Sequence, residues 1–201
     1  MKKHKEQARK FLKYPIILAS GSPRRKQFLE EMGLDFQIVV PDIAEDALTV
    51  EDPIRTAQSL ARDKALAVFD LHGDSLIIAG DTVVALPVGE SWVQLSKPPD
   101  AADAARMLRE LSGKRHLVVS GLCLRWPKGM ISAAEKSWVS FKILSDEAIE
   151  AYVATGQSID KAGAYGLQDE SHSFIEKVEG SITNVIGLPV ELLEESLKSV
   201  D

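Results

Sequence analysis

Short apolar runs alternate with amphipathic stretches along this chain. Ile16–Ala19 is apolar throughout and reads as a buried strand. Small residues, Pro23 and the pair Arg24-Arg25 follow, then the amphipathic run Gln27–Met32. That order predicts a strand, a tight turn and a helix N-terminus. Phe36–Val40 reads as the next strand and Pro41–Asp46 as an acidic loop. Asp52-Pro53 pairs a capping acid with proline at the first helical position. Ile54, Ala57, Leu60, Ala61, Lys64, Ala65 and Val68 then keep helical spacing to about Phe69, with His72-Gly73 as the stop.

Leu76–Ala79 is a second short apolar run, a buried strand delivering Gly80-Asp81-Thr82 at its end. Val83–Leu86 and Ser91–Leu95 read as a hairpin around Pro87–Glu90. Asp100 caps a helix through Leu111, and Ser112-Gly113 stops it. Arg115–Trp126 and Ile131–Ile143 are long strands joined by a hairpin at Pro127–Met130. Ser145-Asp-Glu147 opens a helix to about Ala154, and Asp160–Gln168 is a Gly-rich loop. Phe174–Val178 and Ser181–Val185 read as short strands, and Pro189 opens a last helix with Val190, Leu193 and Leu197 on one face. Interleaved helices and strands with two long antiparallel strands in the middle predict a mixed α/β fold.

The 201 residues suit one substantial domain, and 45% hydrophobic with 27% charged residues fits a globular chain. A net charge of −6 argues against nucleic acid as a partner. Cys123 is the single cysteine, which excludes an intrachain disulfide and suits a reducing cytoplasm. No apolar run approaches the roughly 18 residues a membrane helix needs, so no membrane partner is expected. Met1–Lys13 carries six basic residues against one acid, Glu6, and lacks the apolar core of a secretory signal. It reads either as a solvated extension, residues 1–14, or as a basic arm for a partner; residues 15–201 form a single domain.

Four polar clusters stand out. Ser20, Ser22, Arg24 and Arg25 lie where a helix begins, a place that favours an anion, although an N-cap with two surface arginines has the same sequence. Asp81 suits metal binding or general-base work, or equally an Asx-turn. Lys64, Lys97 and Glu45 are isolated charges that solvent alone would accommodate. Asp160–Gln168 has glycines that permit close backbone approach, and Gln168 offers the donor and acceptor that base reading requires. The chain has no GxxxxGK[ST], HExxH, CxxC or GxSxG motif, and its four histidines are scattered, His116 beside apolar neighbours as a structural group. A positive pocket, carboxylates and an amide together equip a site for metal-assisted attack of water on a phosphoanhydride.

In this order the clusters resemble the Maf family of nucleoside triphosphate pyrophosphatases. The resemblance rests on Leu18-Ala-Ser-Gly-Ser-Pro-Arg-Arg25, Leu60-Ala-Arg-Asp-Lys-Ala65, Ala79-Gly-Asp-Thr-Val83, Lys97-Pro98, Leu111-Ser-Gly113 with His116, Asp160-Lys-Ala-Gly-Ala-Tyr-Gly166 and Asn184-Val-Ile-Gly-Leu-Pro189. It implies an elongated sheet flanked by helices with a central cleft, like the inosine triphosphate pyrophosphatases. It implies a nucleoside triphosphate substrate cleaved between the α and β phosphates, with a divalent cation, Mg²⁺, Mn²⁺ or Co²⁺, as cofactor. Asp81 corresponds to the proton acceptor and, with Glu45, to the metal site. Ser22, Arg25, Lys64 and Lys97 match residues around the phosphates. Arg24, Thr82 and Gln168 occupy the positions that correlate with base choice and resemble the subgroup acting on dTTP and UTP. A homodimer is a further family expectation. Two features depart from the pattern: the basic extension, and Asp169-Glu-Ser-His172 where glycines commonly follow the glutamine. Two rivals stand beside this reading. One is the same reaction on 7-methyl-GTP or on modified pyrimidine triphosphates, and the other is a nucleotide-binding regulator of cell division with little turnover.

Overall fold

The structure is a computed structural model and describes residues 13–43 and 52–201. Most of the basic extension and the part of the acidic loop that holds Glu45 lie outside the described residues. The elements run β1 (Ile16–Ala19), α1 (Pro23–Glu31), β2 (Phe36–Ile38), α2 (Pro53–Phe69), β3 (Leu76–Val88), β4 (Ser91–Leu95), α3 (Ala101–Leu111), β5 (Arg115–Trp126), β6 (Gly129–Phe141) and α4 (Asp146–Ala154). Short 3₁₀ turns at Ala162–Ala164 and Glu170–Phe174 follow, then β7 (Ile175–Glu179), α5 (Ile182–Ile186) and α6 (Val190–Leu197).

One seven-stranded sheet in the order β2-β1-β3-β5-β6-β7, with β4 added to β3, carries the molecule. β1 is parallel to β2 and β3, and every other pairing is antiparallel. Residues alternate between faces along a strand, and β3 divides its apolar side chains accordingly. Ile77, Ala79 and Val83 pack under α2, against Ala57, Ala61 and Ala65. Leu76 and Ile78 pack on the opposite face with Leu29 of α1 and Leu193 of α6. Farther along that face, Val84 and Leu86 join Leu108 of α3 and Ile149 of α4 in a separate cluster. Two apolar clusters thus share one face, with a polar interval between them.

Helix α2 lies unusually close to the sheet. A Cβ at Gly121 would stand 2.0 Å from the carbonyl oxygen of Ala57, so only glycine admits the helix backbone there. Gly121 is the direct cross-strand partner of Asp81. The close approach therefore sets the helix over that residue.

Several boundaries differ from the sequence pattern. Leu76–Ala79 and Val83–Leu86 are not two strands but one, β3, which runs straight through Gly80-Asp81-Thr82. Pairing with β5 from Ile77↔Arg125 to Ala85↔Leu117 holds the backbone extended where polar residues interrupt the apolar run. Asp81 is therefore a mid-strand residue and starts no Asx-turn. Ser181–Val185 is not a strand but leads into helix α5: the Ser181 hydroxyl accepts from Asn184 N–H and Gly187, at φ 126°, ends the turn. Capping outweighs the β-branched Ile182, Thr183 and Val185. Helix α2 ends at Phe69 with Asp70 as its cap, ahead of His72-Gly73. β2 stops at Ile38, β6 spans Gly129–Phe141, and β7 starts at Ile175 after a 3₁₀ turn.

Candidate active site

β1 ends at Ala19, paired with Ala79 of β3, and β4 does not join β3 until Val84 meets Leu95. Between those points Gly80, Asp81, Thr82 and Val83 pair with β5 on one side and, among the described residues, with no strand on the other. The gap lies beyond the carboxyl end of parallel strand β1, where open α/β sheets place their ligands. A cleft of about 730 Å³ opens there. Arg24, Arg25, Lys64, Lys97 and Lys161 line it with Asp81 and Asp160, a positive excess in a chain of net charge −6.

Because the strand alternates, adjacent residues of the gap serve opposite faces. Asp81 turns to α2, where Lys64 Nζ donates to its Oδ1 at 2.5 Å. The two side chains are only 10% and 14% exposed. Asp81 Oδ2 has no hydrogen-bond partner among the described residues. Apart from Thr56, the buried residues around Lys64 on α2 are apolar.

Thr82 turns to the other face and into a hydroxyl-rich knot. Arg25 is 8% exposed there; its Nε donates to Gly187 O at 2.9 Å, one terminal nitrogen to Ser20 Oγ at 3.0 Å and the other to Thr82 Oγ1 at 3.1 Å. Thr82 Oγ1 lies 2.9 Å from Ser120 Oγ, which donates to Asn184 O at 2.8 Å. Asn184 accepts from Ser120 N–H at 2.9 Å and donates through Nδ2 to Val118 O and Ser137 Oγ. This fully buried amide ties α5 to β5 and β6, so the Gly187 turn stands over the gap.

The opening turn completes that wall. Ser22 caps α1, its Oγ accepting from Arg25 N–H at 3.5 Å, so the first helical turn faces the cleft. Arg24 reaches across, donating to Asp160 Oδ2 at 2.9 Å and to Asp160 O at 3.3 Å. Burial alone would raise the Asp160 pKa, but the hydrogen bond from Lys161 and the Arg24 charge outweigh it and hold the carboxyl below its usual value. Beneath the cleft, Tyr165 and His116 share a 2.7 Å hydrogen bond. Burial drives the His116 pKa down to about 3, which leaves the imidazole neutral.

The cleft gathers Ser22, Arg24, Arg25, Lys64, Asp81, Thr82 and Lys97 from the residues singled out in sequence. Lys97 is exposed at its rim. Gln168 is exposed on the turn before the second 3₁₀ segment and is not part of the lining, and Glu45 lies outside the described residues. Sequence reasoning missed Ser120 and Asn184 as members of the knot, and Lys161 and Asp169 as charges behind Arg24. For Asn184 the signal was present in Ser181, three residues earlier, as an N-cap, and in Gly187 as a stop.

A family model described as Maf-like protein matches residues 15–200. A Deinococcus radiodurans protein named dTTP/UTP pyrophosphatase is 42% identical over 183 residues, covering 91% of each chain. A Geobacter sp. (strain M21) protein of the same name is 44% identical over 187 residues, covering 92% of this chain and 95% of its own. Among solved structures, the Staphylococcus aureus Ham1 protein aligns over 93% of this chain and all of its own, with a TM-score of 0.49 and 15% identity.

Proposed function

We propose, from the premise that this chain belongs to the Maf-like family, that it hydrolyses dTTP and UTP to the monophosphate and pyrophosphate. The relatives' names supply the substrate class. The observation that carries the reaction is the buried Lys64–Asp81 pair in the gap of the sheet, one carboxylate oxygen held and the other open.

In this reading the triphosphate lies along the cleft, its charge met by Lys64 and Lys97 and by the α1 N-terminus at Ser22. Arg25 adds its charge from behind while holding Ser20, Thr82 and Gly187 in place. Lys64 fixes Asp81 through Oδ1, and Oδ2 accepts a proton from the attacking water. The water oxygen bonds to the α phosphorus as the bond to the bridging oxygen breaks. Pyrophosphate departs with that electron pair, and the proton on Asp81 returns to solvent. Arg24 and Thr82 read the base from the lining, and Gln168 joins them from the neighbouring turn outside it.

A divalent cation fits this donor set. Among the described residues no three His, Cys, Asp or Glu side chains form a cage. Mg²⁺ and similar hard cations, however, commonly take one or two carboxylates and complete their shell with phosphate oxygens and water. Asp81 offers such a ligand, and Glu45, outside the described residues, is the second that the family resemblance implies. When bound, the cation neutralises charge that develops on the phosphate oxygens. A free nucleotide substrate supports a cytoplasmic setting for this reading. Among the described residues no helix is long and apolar enough to cross a membrane.

A nucleotide panel with Mg²⁺ or Mn²⁺, assayed for pyrophosphate, tests the reading. dTTP and UTP are expected to lead, and Asp81→Asn is expected to lower kcat by about 10²–10⁴ while KM moves little. Faster turnover of 7-methyl-GTP would overturn the base assignment. Absence of pyrophosphate from every triphosphate would overturn the reaction in favour of a nucleotide-binding regulator.

A further inference from the structure

We infer that Asp160, Lys161 and Asp169 are positioning residues that join Arg24 to the Gln168 turn, so that base choice depends on a side chain outside the cleft. The inference rests on the pyrophosphatase reading for its substrate and on the ion-pair geometry for its logic.

The chain of contacts begins at Arg24, whose two terminal nitrogens both engage Asp160, one on the carboxylate at 2.9 Å and one on the carbonyl at 3.3 Å. Two contacts from a planar guanidinium fix its orientation as well as its place. Asp160 shares itself: Oδ2 faces Arg24, and Oδ1 accepts from Lys161 Nζ at 2.8 Å. Lys161 is 13% exposed, and its ammonium also lies 3.2 Å from Asp169 Oδ2 and donates to the Gln157 carbonyl. Its stem packs on Gly166, where a Cβ would stand 2.9 Å from it.

Asp169 is the fixed end. Its side chain is 12% exposed, accepts from Ser171 N–H at 2.9 Å and from the Tyr152 hydroxyl at 3.2 Å, and caps the Glu170–Phe174 turn. Tyr152 is anchored in the apolar cluster beneath α3 and α4. Charges alternate from Arg24 to Asp169, so each ion is held by an opposite neighbour. Arg24, Asp160 and Lys161 line the cleft, but Asp169 does not. Asp169 follows Gln168 directly in the chain. Loss of the Asp169 charge frees Lys161 to take more of Asp160, which loosens the hold on Arg24 and releases the turn that bears Gln168. Both changes fall on the base end of the site, whereas Lys64 and Asp81 are held on the α2 face.

The test measures kcat/KM for UTP, dTTP, ATP and GTP on the full chain with Mg²⁺, for wild type, Asp169→Asn, Asp169→Glu, Arg24→Met and the double variant Arg24→Met/Asp169→Asn. Asp169→Asn is expected to lower the pyrimidine-over-purine ratio about threefold or more, mainly through KM, the scale of coupling between contacting charged side chains. Asp169→Glu is expected to restore most of the ratio, and Asp169→Asn to change it little further once Arg24 is gone. Lys161→Met, measured in the same way, serves if Asp169→Asn fails to fold. An unchanged ratio in a folded variant overturns the inference, as does an equal effect with and without Arg24. A wild type that releases no pyrophosphate overturns the reaction reading instead. Calorimetric Kd values for UTP and ATP on the same variants then decide the positioning network by the same ratio.

Discussion

The two long walls of the cleft use arginine in opposite ways. On the inner wall Arg25 is sealed from solvent and donates to a serine, a threonine and a backbone carbonyl. On the outer wall its sequence neighbour Arg24 is 22% exposed and faces an aspartate that is 55% exposed, itself shared with a lysine. A buried guanidinium that ties a serine, a threonine and a backbone carbonyl together holds the wall in shape. An exposed cation with a carboxylate already beside it is balanced, and a ligand must compete for it. The inner wall is built to stay, and the outer wall is built to exchange partners.

The largest expected effect tests the inner wall. Arg25→Met removes the donor that joins β1, β3 and the Gly187 turn and leaves buried oxygens without it. The loss of unfolding free energy is expected at about 2–4 kcal/mol, the cost of stranding several buried polar groups. Urea unfolding of Arg25→Met beside Arg24→Met measures it. Equal losses from the two arginines would break the contrast between the walls.

The second effect uses pH to separate buried from exposed charge. His116 is fully buried and shares its hydrogen bond with Tyr165, a residue of the cleft lining. Its folded pKa, about 3, lies below the unfolded value of about 6.5, so the unfolded chain binds the extra proton as pH falls. The stability it contributes is complete above about pH 6.5 and is lost as pH falls towards 3. Between pH 6.5 and 5 that amounts to about 2 kcal/mol. His116→Gln should lack this part of the slope, as read from urea midpoints across the range. An identical slope in the variant would mean that the imidazole opens to solvent before the chain unfolds.

The difference between the walls also explains what the sequence made legible. The strand–turn–helix at Ile16–Arg25, the cap at Asp52-Pro53 and the helical spacing through Lys64 are local patterns, and each forms where local chemistry puts it. Asp81 was visible as a polar residue after an apolar run, but its place in mid-strand was not. That place depends on β5, forty residues away in register with Gly121. Ser120, Asn184 and Gly187 meet only because a buried amide spans two strands and a helix, and no spacing in one segment announces such a contact. The Arg24–Asp160 pair joins residues 136 positions apart. Each segment carries its own chemistry in sequence, and only the fold brings the two charges together.

The smallest expected effect sharpens the contrast through salt. Arg24→Met removes an ion pair between partly exposed groups, a class worth under about 1 kcal/mol. Screening acts on such pairs, since the Debye length shortens from about 10 Å at 0.1 M to about 3 Å at 1 M ionic strength. The stability difference between wild type and Arg24→Met should therefore shrink towards zero across that range. The Arg25→Met difference should hold, because the contacts it makes to Ser20, Thr82 and Gly187 are short and buried from mobile ions. If both differences fall together, the inner wall is wetter than its burial implies, and the cleft has one kind of arginine instead of two.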